Sequence, residues 1–292
     1  MTEQPAGGWS TAQVNGAAVR YQRRGDGRPV VLLHPLRMQL EYFDPLCAEL
    51  GDAGAELIAV DLPGHGHSGA PAADYTAAYF TDTAEALLDS LGVADAIVVG
   101  ESIGASIGLG LAARHCSRVA GIVALNPYDY GRWGGIRRSS TIGNIVFTTM
   151  LLPVVGPVVA QAGTKGVLRR VLDGGLYDPG HLSPQLVAEL HQSGRRPGHG
   201  RALRSLSRSW HSWISARDRY SAIQIPVTLA YGDHDWSNED ERDANRRAIP
   251  AVRATMNRDC GHFSSLDKPA HVTALIRDSL ALPGRKIRKA ET

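Results

Sequence analysis

Short apolar runs alternate with helix-period segments along most of this chain. The runs are rich in β-branched residues and lack apolar–polar alternation, which is typical of strands covered on both faces. They are Pro29–Leu33, Leu57–Val60, Ala96–Val99, Ile122–Leu125 and Val227–Ala230. Segments with a helical period lie at Tyr75–Leu91, Ile103–His115 and Pro269–Leu280. The pattern therefore predicts a mainly parallel α/β sheet flanked by helices.

Two further strand signals lie near the ends of the chain. The loosely alternating residues Ala12–Arg23 surround Asn15-Gly16, a dipeptide typical of the turn between two antiparallel strands. The run Val252–Met256 is the candidate for the last strand.

The alternation of strands and helices breaks between residues 128 and 220. We interpret this stretch as a helical insertion, the cap segment (128–220), lying over the carboxyl ends of the strands of a core formed by 1–127 and 221–292. Residues 139–164 carry no charge, but Pro153 and Pro157 interrupt them, and proline inside a helix removes a hydrogen bond and adds a clash. We therefore expect this uncharged stretch to line an apolar pocket. Simple packing of the cap segment on the core is the second alternative, and membrane contact is the third.

Composition excludes several classes of protein. The 292 residues carry a net charge of only +2, and we interpret the basic tail around residues 285–289 as a solvated end, so no nucleic-acid partner is expected. Three widely spaced cysteines suit a reducing compartment rather than a disulfide framework or a metal site. The first residues lack the pattern of a secretory signal, so a cytoplasmic location is expected. No motif predicts a cofactor or metal, and the oligomeric state stays open.

The sharpest chemical signal is Gly100-Glu101-Ser102-Ile103-Gly104, between a strand run and a helix. A turn this tight strains the serine backbone and exposes its hydroxyl, with the flanking glycines allowing close approach of the chain. The peptide N–H of Ile103, at the helix start, is free to face a reacting oxygen. The alternative is a purely structural strand-to-helix turn.

A serine needs a positioned base, and His262 follows the last predicted strand. A loop at that point can reach back over the edge of the sheet. Asp235 follows the strand at Val227–Ala230 and can hold the imidazole. The other histidines, including His65 and His67, are interpreted as surface, packing or turn residues.

Four motifs in the expected order make the chain resemble the α/β-hydrolase superfamily. More narrowly, it resembles the capped branch that holds esterases, carbon–carbon bond hydrolases and related lyases. The motifs are Leu32-Leu33-His34-Pro35-Leu36, Asp61 to Ser68, Gly100 to Gly104, and Gly232-Asp233-His234-Asp235 with Gly261-His262. Because the turn carries a serine, Ser102, members of the superfamily that use an aspartate nucleophile are disfavoured.

The resemblance implies roles for particular residues. It assigns the acid to Asp235, with Asp233 as the fallback, and the second oxyanion donor to the backbone N–H of Leu36. The chain departs from the family pattern at Pro35, where glycine is usual, so the shape of this loop is the least secure point. The neighbouring Arg37 could bind an anionic substrate group, but a surface or structural ion pair is favoured.

The function that follows is a serine hydrolase acting through an acyl-enzyme, with the triad Ser102, Asp235 and His262. Its substrate would be an ester or related acyl compound, small and largely apolar, with an anionic group as an option. The same residues could instead serve carbon–carbon hydrolysis, lyase or elimination chemistry, or acyl transfer. A non-catalytic ligand-binding module is the third alternative.

Overall fold

A computed structural model describes residues 8–51, 54–131 and 134–283, so the basic tail lies outside the described residues. Within these ranges eight strands form one sheet in the order β1-β2-β4-β3-β5-β6-β7-β8. The strands are β1 (Ser10–Val14), β2 (Ala17–Arg24), β3 (Arg28–Leu33), β4 (Ala55–Val60), β5 (Ala96–Glu101), β6 (Val119–Leu125), β7 (Val227–Gly232) and β8 (Arg253–Asn257).

The sheet is antiparallel at one edge and parallel everywhere else. The pairs β1–β2 and β2–β4 are antiparallel, and the five pairs from β4 through β3, β5, β6 and β7 to β8 are parallel. Every residue of β5, β6 and β7 is buried, which explains their non-alternating apolar sequences. The predicted fold class, a mainly parallel α/β sheet flanked by helices, is confirmed.

Helices link the strands and cover the sheet. The core helices are α1 (Asp44–Leu50), α2 (Ala77–Ser90), α3 (Ile103–Ala113), α10 (Glu239–Ala248), α11 (Ser264–Asp267) and α12 (Pro269–Leu280). The hydroxyl of Thr76 accepts the N–H of Tyr79 at 3.1 Å and so caps α2. Helix α2 packs on α3, and α1 packs on α12.

Between β6 and β7 the described residues, 126–131 and 134–226, contain helices but no strand. The longer helices are α4 (Thr141–Met150), α5 (Gly156–Ala162), α6 (Lys165–Asp173), α7 (Pro184–Ser193), α8 (His199–Arg208) and α9 (Trp210–Ala216). This is the stretch interpreted above as the cap segment; its exact boundaries stay a prediction.

The uncharged stretch 139–164 divides its apolar side chains between interior and surface. Phe147 and Met150 are buried, whereas Val154 is 86% exposed. Six large apolar side chains here are exposed in all: Ile142, Ile145, Leu152, Val154, Val155 and Val158. Pocket lining therefore accounts for only part of this stretch. No helix in the described residues is long and apolar enough to span a membrane.

A buried ion-pair network fixes the loops that follow β3 and β4. The Nε of Arg20 donates to Oδ2 of Asp61 at 2.6 Å, and its terminal nitrogens contact both oxygens of Glu41 at 2.9 Å. Asp61 also accepts the backbone N–H groups of Leu40 (2.7 Å) and His67 (2.7 Å). The network therefore ties both loops to β2.

Replacing Arg20 should destabilise the protein far more than replacing Arg23, its neighbour on β2. Arg20→Met leaves the buried Asp61 carboxylate without its cation, which should lower the free energy of unfolding by about 3 to 5 kcal/mol. The Arg23 side chain is 40% exposed against 4% for Arg20, so Arg23→Met, which breaks its pair with Glu56, should cost less than about 1 kcal/mol. Urea unfolding measures both, and equal losses would contradict this account.

Candidate active site

Ser102 lies in a strained turn between β5 and α3. Its φ and ψ are 58° and −117°, a conformation that a non-glycine residue rarely adopts. A Cβ on Gly100 would come within 2.1 Å of the carbonyl oxygen of Gly104, and one on Gly104 within 2.0 Å of that of Leu33. Both flanking glycines are therefore required for this turn.

His262 and Asp235 are in direct contact. The Nδ1 of His262 lies 2.5 Å from Oδ1 of Asp235, and since an ionised carboxylate only accepts, Nδ1 carries the proton. The other oxygen, Oδ2, accepts the Tyr130 hydroxyl at 3.2 Å and both the N–H and the hydroxyl of Ser237. Every oxygen of this buried carboxylate is therefore occupied by donors.

The surroundings of Asp235 keep it ionised. Burial alone would raise the pKa of its carboxyl, but the charge of His262 and the hydrogen bonds from His262 and Ser237 outweigh burial and lower that pKa below its usual value. The carboxylate can therefore orient the imidazole and stabilise a positive charge on it at neutral pH.

An indole ring covers one face of the His262 imidazole, and the ring nitrogen Nε2 has no hydrogen-bond partner among the described residues. Trp236 stacks on it with ring centroids 3.9 Å apart and an angle of 14° between the planes. The backbone N–H of His262 donates to the carbonyl of Gly175 at 2.7 Å, and the indole N–H of Trp236 donates to that of Gly174 at 2.9 Å. Nε2 of His262 is buried and has no partner among the described residues, so it is free to accept a proton.

Asn126, at the end of β6, joins the loops of the site. Its side-chain amide N–H groups donate to the carbonyl of His262 and the hydroxyl of Ser264, both at 2.9 Å. Its Oδ1 accepts the N–H of Gly232, at the end of β7. Because β5, β6 and β7 are adjacent and parallel, the positions of Ser102, Asn126 and Asp235 follow strand ends at one edge of the sheet.

Glu101 connects the serine turn to the histidine loop. Its buried carboxylate accepts the N–H of Ser264, the hydroxyl of Ser265 at 2.7 Å and the hydroxyl of Tyr42 at 2.7 Å. Burial raises the pKa of Glu101 to about 7. Neither Glu101 nor Asn126 was recognised from the sequence as a residue of the site. The available signal was that each lies directly at the carboxyl end of a strand.

The backbone N–H groups of Leu36 and Ile103, the two donors expected for an oxyanion, have no acceptor in the described part of the chain. Met38 donates its N–H to the carbonyl of Pro35, which closes a turn around Leu36 and Arg37. Arg37 has a positive φ (67°), as at the third position of a type II turn, and Leu36 does not. This turn begins at Pro35, so Pro35 is compatible with an exposed N–H at Leu36.

The remaining sequence candidates lie in other places. Asp233, the fallback acid, accepts the N–H groups of Asp259 and Cys260 and has no contact with His262, so it holds a loop.

The hydroxyl of Ser102 makes no hydrogen bond among the described residues, and the bond from Ser102 to Nε2 of His262 is therefore not formed. Such a bond often tightens only when substrate is bound.

No group of three or more metal-ligating side chains is clustered in the described ranges. A pocket in the cap segment is lined mainly by apolar side chains of α4 to α7. It reaches Arg37, the residue after Leu36. The ion pair favoured for Arg37 above is wrong, because no acid contacts its guanidinium in the described residues.

Comparisons with known proteins agree with this architecture. A family model described as the alpha/beta hydrolase fold matches residues 28–140. The dihydrolipoyllysine-residue acetyltransferase component of the acetoin cleaving system of Cupriavidus necator is 30% identical over 283 residues, covering 95% of this chain and 70% of that protein.

Solved structures share the fold at low identity. The epoxide hydrolase CorEH has a TM-score of 0.79 at 23% identity, covering 94% of this chain and 98% of its own. An enol-lactonase from Burkholderia xenovorans LB400 has a TM-score of 0.74 at 22% identity, covering 94% of this chain and all (100%) of its own.

Glu101 should make stability depend on pH. The folded protein keeps a proton on the Glu101 carboxyl up to about pH 7, whereas the unfolded chain releases that proton near pH 4.5. The protonated carboxyl therefore stabilises the fold fully below pH 4.5, and this stabilisation is lost as the pH rises through 7. The unfolding free energy of wild type minus that of Glu101→Gln should therefore fall by about 3 kcal/mol between pH 4.5 and 8. Urea unfolding at several pH values measures this difference.

Glu239→Gln, at an exposed glutamate, controls for the loss of a charge. A difference between wild type and Glu101→Gln that stays constant from pH 4.5 to 8 would contradict the titration of Glu101.

Proposed function

The chain belongs to the α/β-hydrolase superfamily, and from that premise we propose that it is a serine hydrolase cleaving an ester or related acyl bond of a small, largely apolar molecule. One observation carries the proposal. The buried Asp235–His262 hydrogen bond leaves Nε2 of the imidazole unpaired, at the edge of the sheet where the strained Ser102 turn lies. A polar nitrogen without a partner in the interior is costly unless something else uses it.

The proposed reaction runs through an acyl-enzyme. Nε2 of His262 takes the proton of the Ser102 hydroxyl while Oγ attacks the carbonyl carbon, and the oxyanion is held by the N–H groups of Leu36 and Ile103. His262 then gives the proton to the leaving oxygen, and the alcohol departs. Water, deprotonated by the same nitrogen, attacks the acyl-enzyme, and Ser102 regains its proton as the acid leaves.

Asp235 and Trp236 act on the base rather than on the substrate. The carboxylate fixes the proton on Nδ1, so that Nε2 is the free acceptor, and it stabilises the imidazolium formed in the transition state. The stacked indole of Trp236 restricts rotation of the ring. Both are positioning residues in this mechanism.

The size and polarity of the substrate follow from the surroundings. Ser102 is 2% exposed and His262 is fully buried, so a substrate has to displace part of what covers them. The pocket in the cap segment offers apolar side chains such as Val146, Phe147 and Val171. These features favour a compact apolar acyl or alkyl group. The enol-lactonase with the same fold cleaves a bond of the proposed type, by the reaction in its name.

Removing the nucleophile should end turnover without unfolding the protein. Ser102→Ala should lower kcat for a p-nitrophenyl acyl ester by at least about 10⁴-fold, because the remaining groups can only bind and polarise the carbonyl. Ser106→Ala, at a buried serine one turn further along α3, is the matched control and should keep most of the activity. A spectrophotometric assay with circular dichroism as the folding check measures both.

Undiminished turnover by Ser102→Ala would overturn the proposal. Labelling with a fluorophosphonate should mark wild type and Ser106→Ala but not Ser102→Ala. Incorporation of oxygen from labelled water into the acid product separates hydrolysis from lyase chemistry or acyl transfer with the same three residues.

A further inference from the structure

The guanidinium of Arg37 lines the pocket in the cap segment, together with apolar side chains and no acidic one. The pocket has a free volume of about 70 Å³. The guanidinium lies directly against Gly194, at the end of α7, where an added Cβ would come within 2.3 to 2.8 Å of its terminal nitrogens and carbon. A cation therefore forms one wall of an otherwise mainly apolar pocket.

Arg37 has no protein partner for its charge. Within the described residues its side chain makes no hydrogen bond and no ion pair, whereas Arg20, Arg23 and Arg28 are all paired. Burial, with no opposing interaction, lowers the pKa of Arg37 below its usual value. A desolvated charge without a counter-ion is unfavourable, and proteins ordinarily pair such groups or use them for ligands.

The backbone at Arg37 is unfavourable as well. Its φ of 67° is a conformation in which glycine would be free of strain. An arginine at this turn position thus adds backbone strain and desolvation, and its side chain forms no hydrogen bond or ion pair among the described residues that would offset them. Strain of this kind is concentrated at functional sites.

We propose that Arg37 binds a carboxylate of the substrate, so that the enzyme acts on acyl compounds that carry both an apolar chain and one carboxylate. The inference rests on the proposed function, because the N–H of Leu36, the preceding residue, is the proposed donor to the ester oxygen. The anionic end and the scissile carbonyl are thereby bound by consecutive residues.

The chemistry of the pocket favours a carboxylate over a phosphate monoester. The planar guanidinium matches a carboxylate with two parallel hydrogen bonds. One half-buried cation balances one negative charge, whereas a phosphate monoester brings nearly two. The second cation of the lining, Arg195, is exposed and already donates to the carbonyl of Gln161 at 3.3 Å.

The test compares two esters that differ only in the remote charge, p-nitrophenyl pentanoate and the p-nitrophenyl monoester of glutaric acid. Arg37→Met should lower kcat/KM for the glutarate monoester about 10- to 100-fold and leave that for the pentanoate within about twofold. Arg37→Lys should restore part of the loss, since the charge remains but the paired hydrogen bonds do not. Arg170→Met, at an exposed arginine of α6 outside the pocket lining, should behave as wild type.

Gly194→Ala supplies a second variant that leaves Arg37 in the chain. The φ of −64° at Gly194 accepts alanine, but the new methyl group has to push the guanidinium away. It should therefore reduce the preference for the glutarate monoester in the same direction as Arg37→Met. An equal fall for both esters in Arg37→Met would overturn the proposal, because it would indicate a structural role.

A binding measurement separates failure of this inference from failure of the proposed function. Calorimetric titration with hexanoate and with its neutral counterpart hexanamide does not depend on turnover. Wild type should bind hexanoate at least tenfold more tightly than hexanamide, and Arg37→Met should bind both equally. If neither ester is hydrolysed but this difference holds, the hydrolase proposal fails and the carboxylate site stands; if hexanoate has no advantage, the site is refuted.

Discussion

The hydrogen bond between Asp235 and His262 is the interaction on which the site depends. Both side chains are buried, so the carboxylate has lost its hydration and must be stabilised by the protein. Ser237 and Tyr130 donate to the oxygen that His262 leaves free, and the indole of Trp236 covers the imidazole. The result is an imidazole whose Nδ1 proton and ring plane are fixed, as a general base requires.

The parallel sheet supplies the rest of the arrangement. Polar side chains at the ends of β5 and β6 hold the histidine loop from two sides, Glu101 through the N–H groups of Ser264 and Ser265 and Asn126 through the carbonyl of His262. From the cap segment, Gly175 accepts the N–H of His262. The imidazole is therefore held by the core and the cap segment together, and a change in either should alter its position.

Local sequence patterns predicted the parts that depend on local constraints. The strands were recognisable because burial on both faces demands unbroken apolar runs, and the turn at Ser102 because only glycines fit on either side of it. The roles of Glu101 and Asn126 were not, because their partners lie 163 and 136 residues away and only the folded sheet edge brings them together. The ion pair expected for Arg37 was wrong for a related reason, because distant residues decide whether an arginine has a counter-ion.

The roles of Ser102 and His262 are best tested by a crystal structure of the protein after reaction with a fluorophosphonate, since the adduct mimics the tetrahedral intermediate. Phosphorus should be bonded to Oγ of Ser102, its anionic oxygen should lie within hydrogen-bond distance of the N–H groups of Leu36 and Ile103, and Nε2 of His262 should face the adduct. A modified residue other than Ser102, or an adduct out of reach of His262 while the Asp235–His262 bond is intact, would contradict these roles.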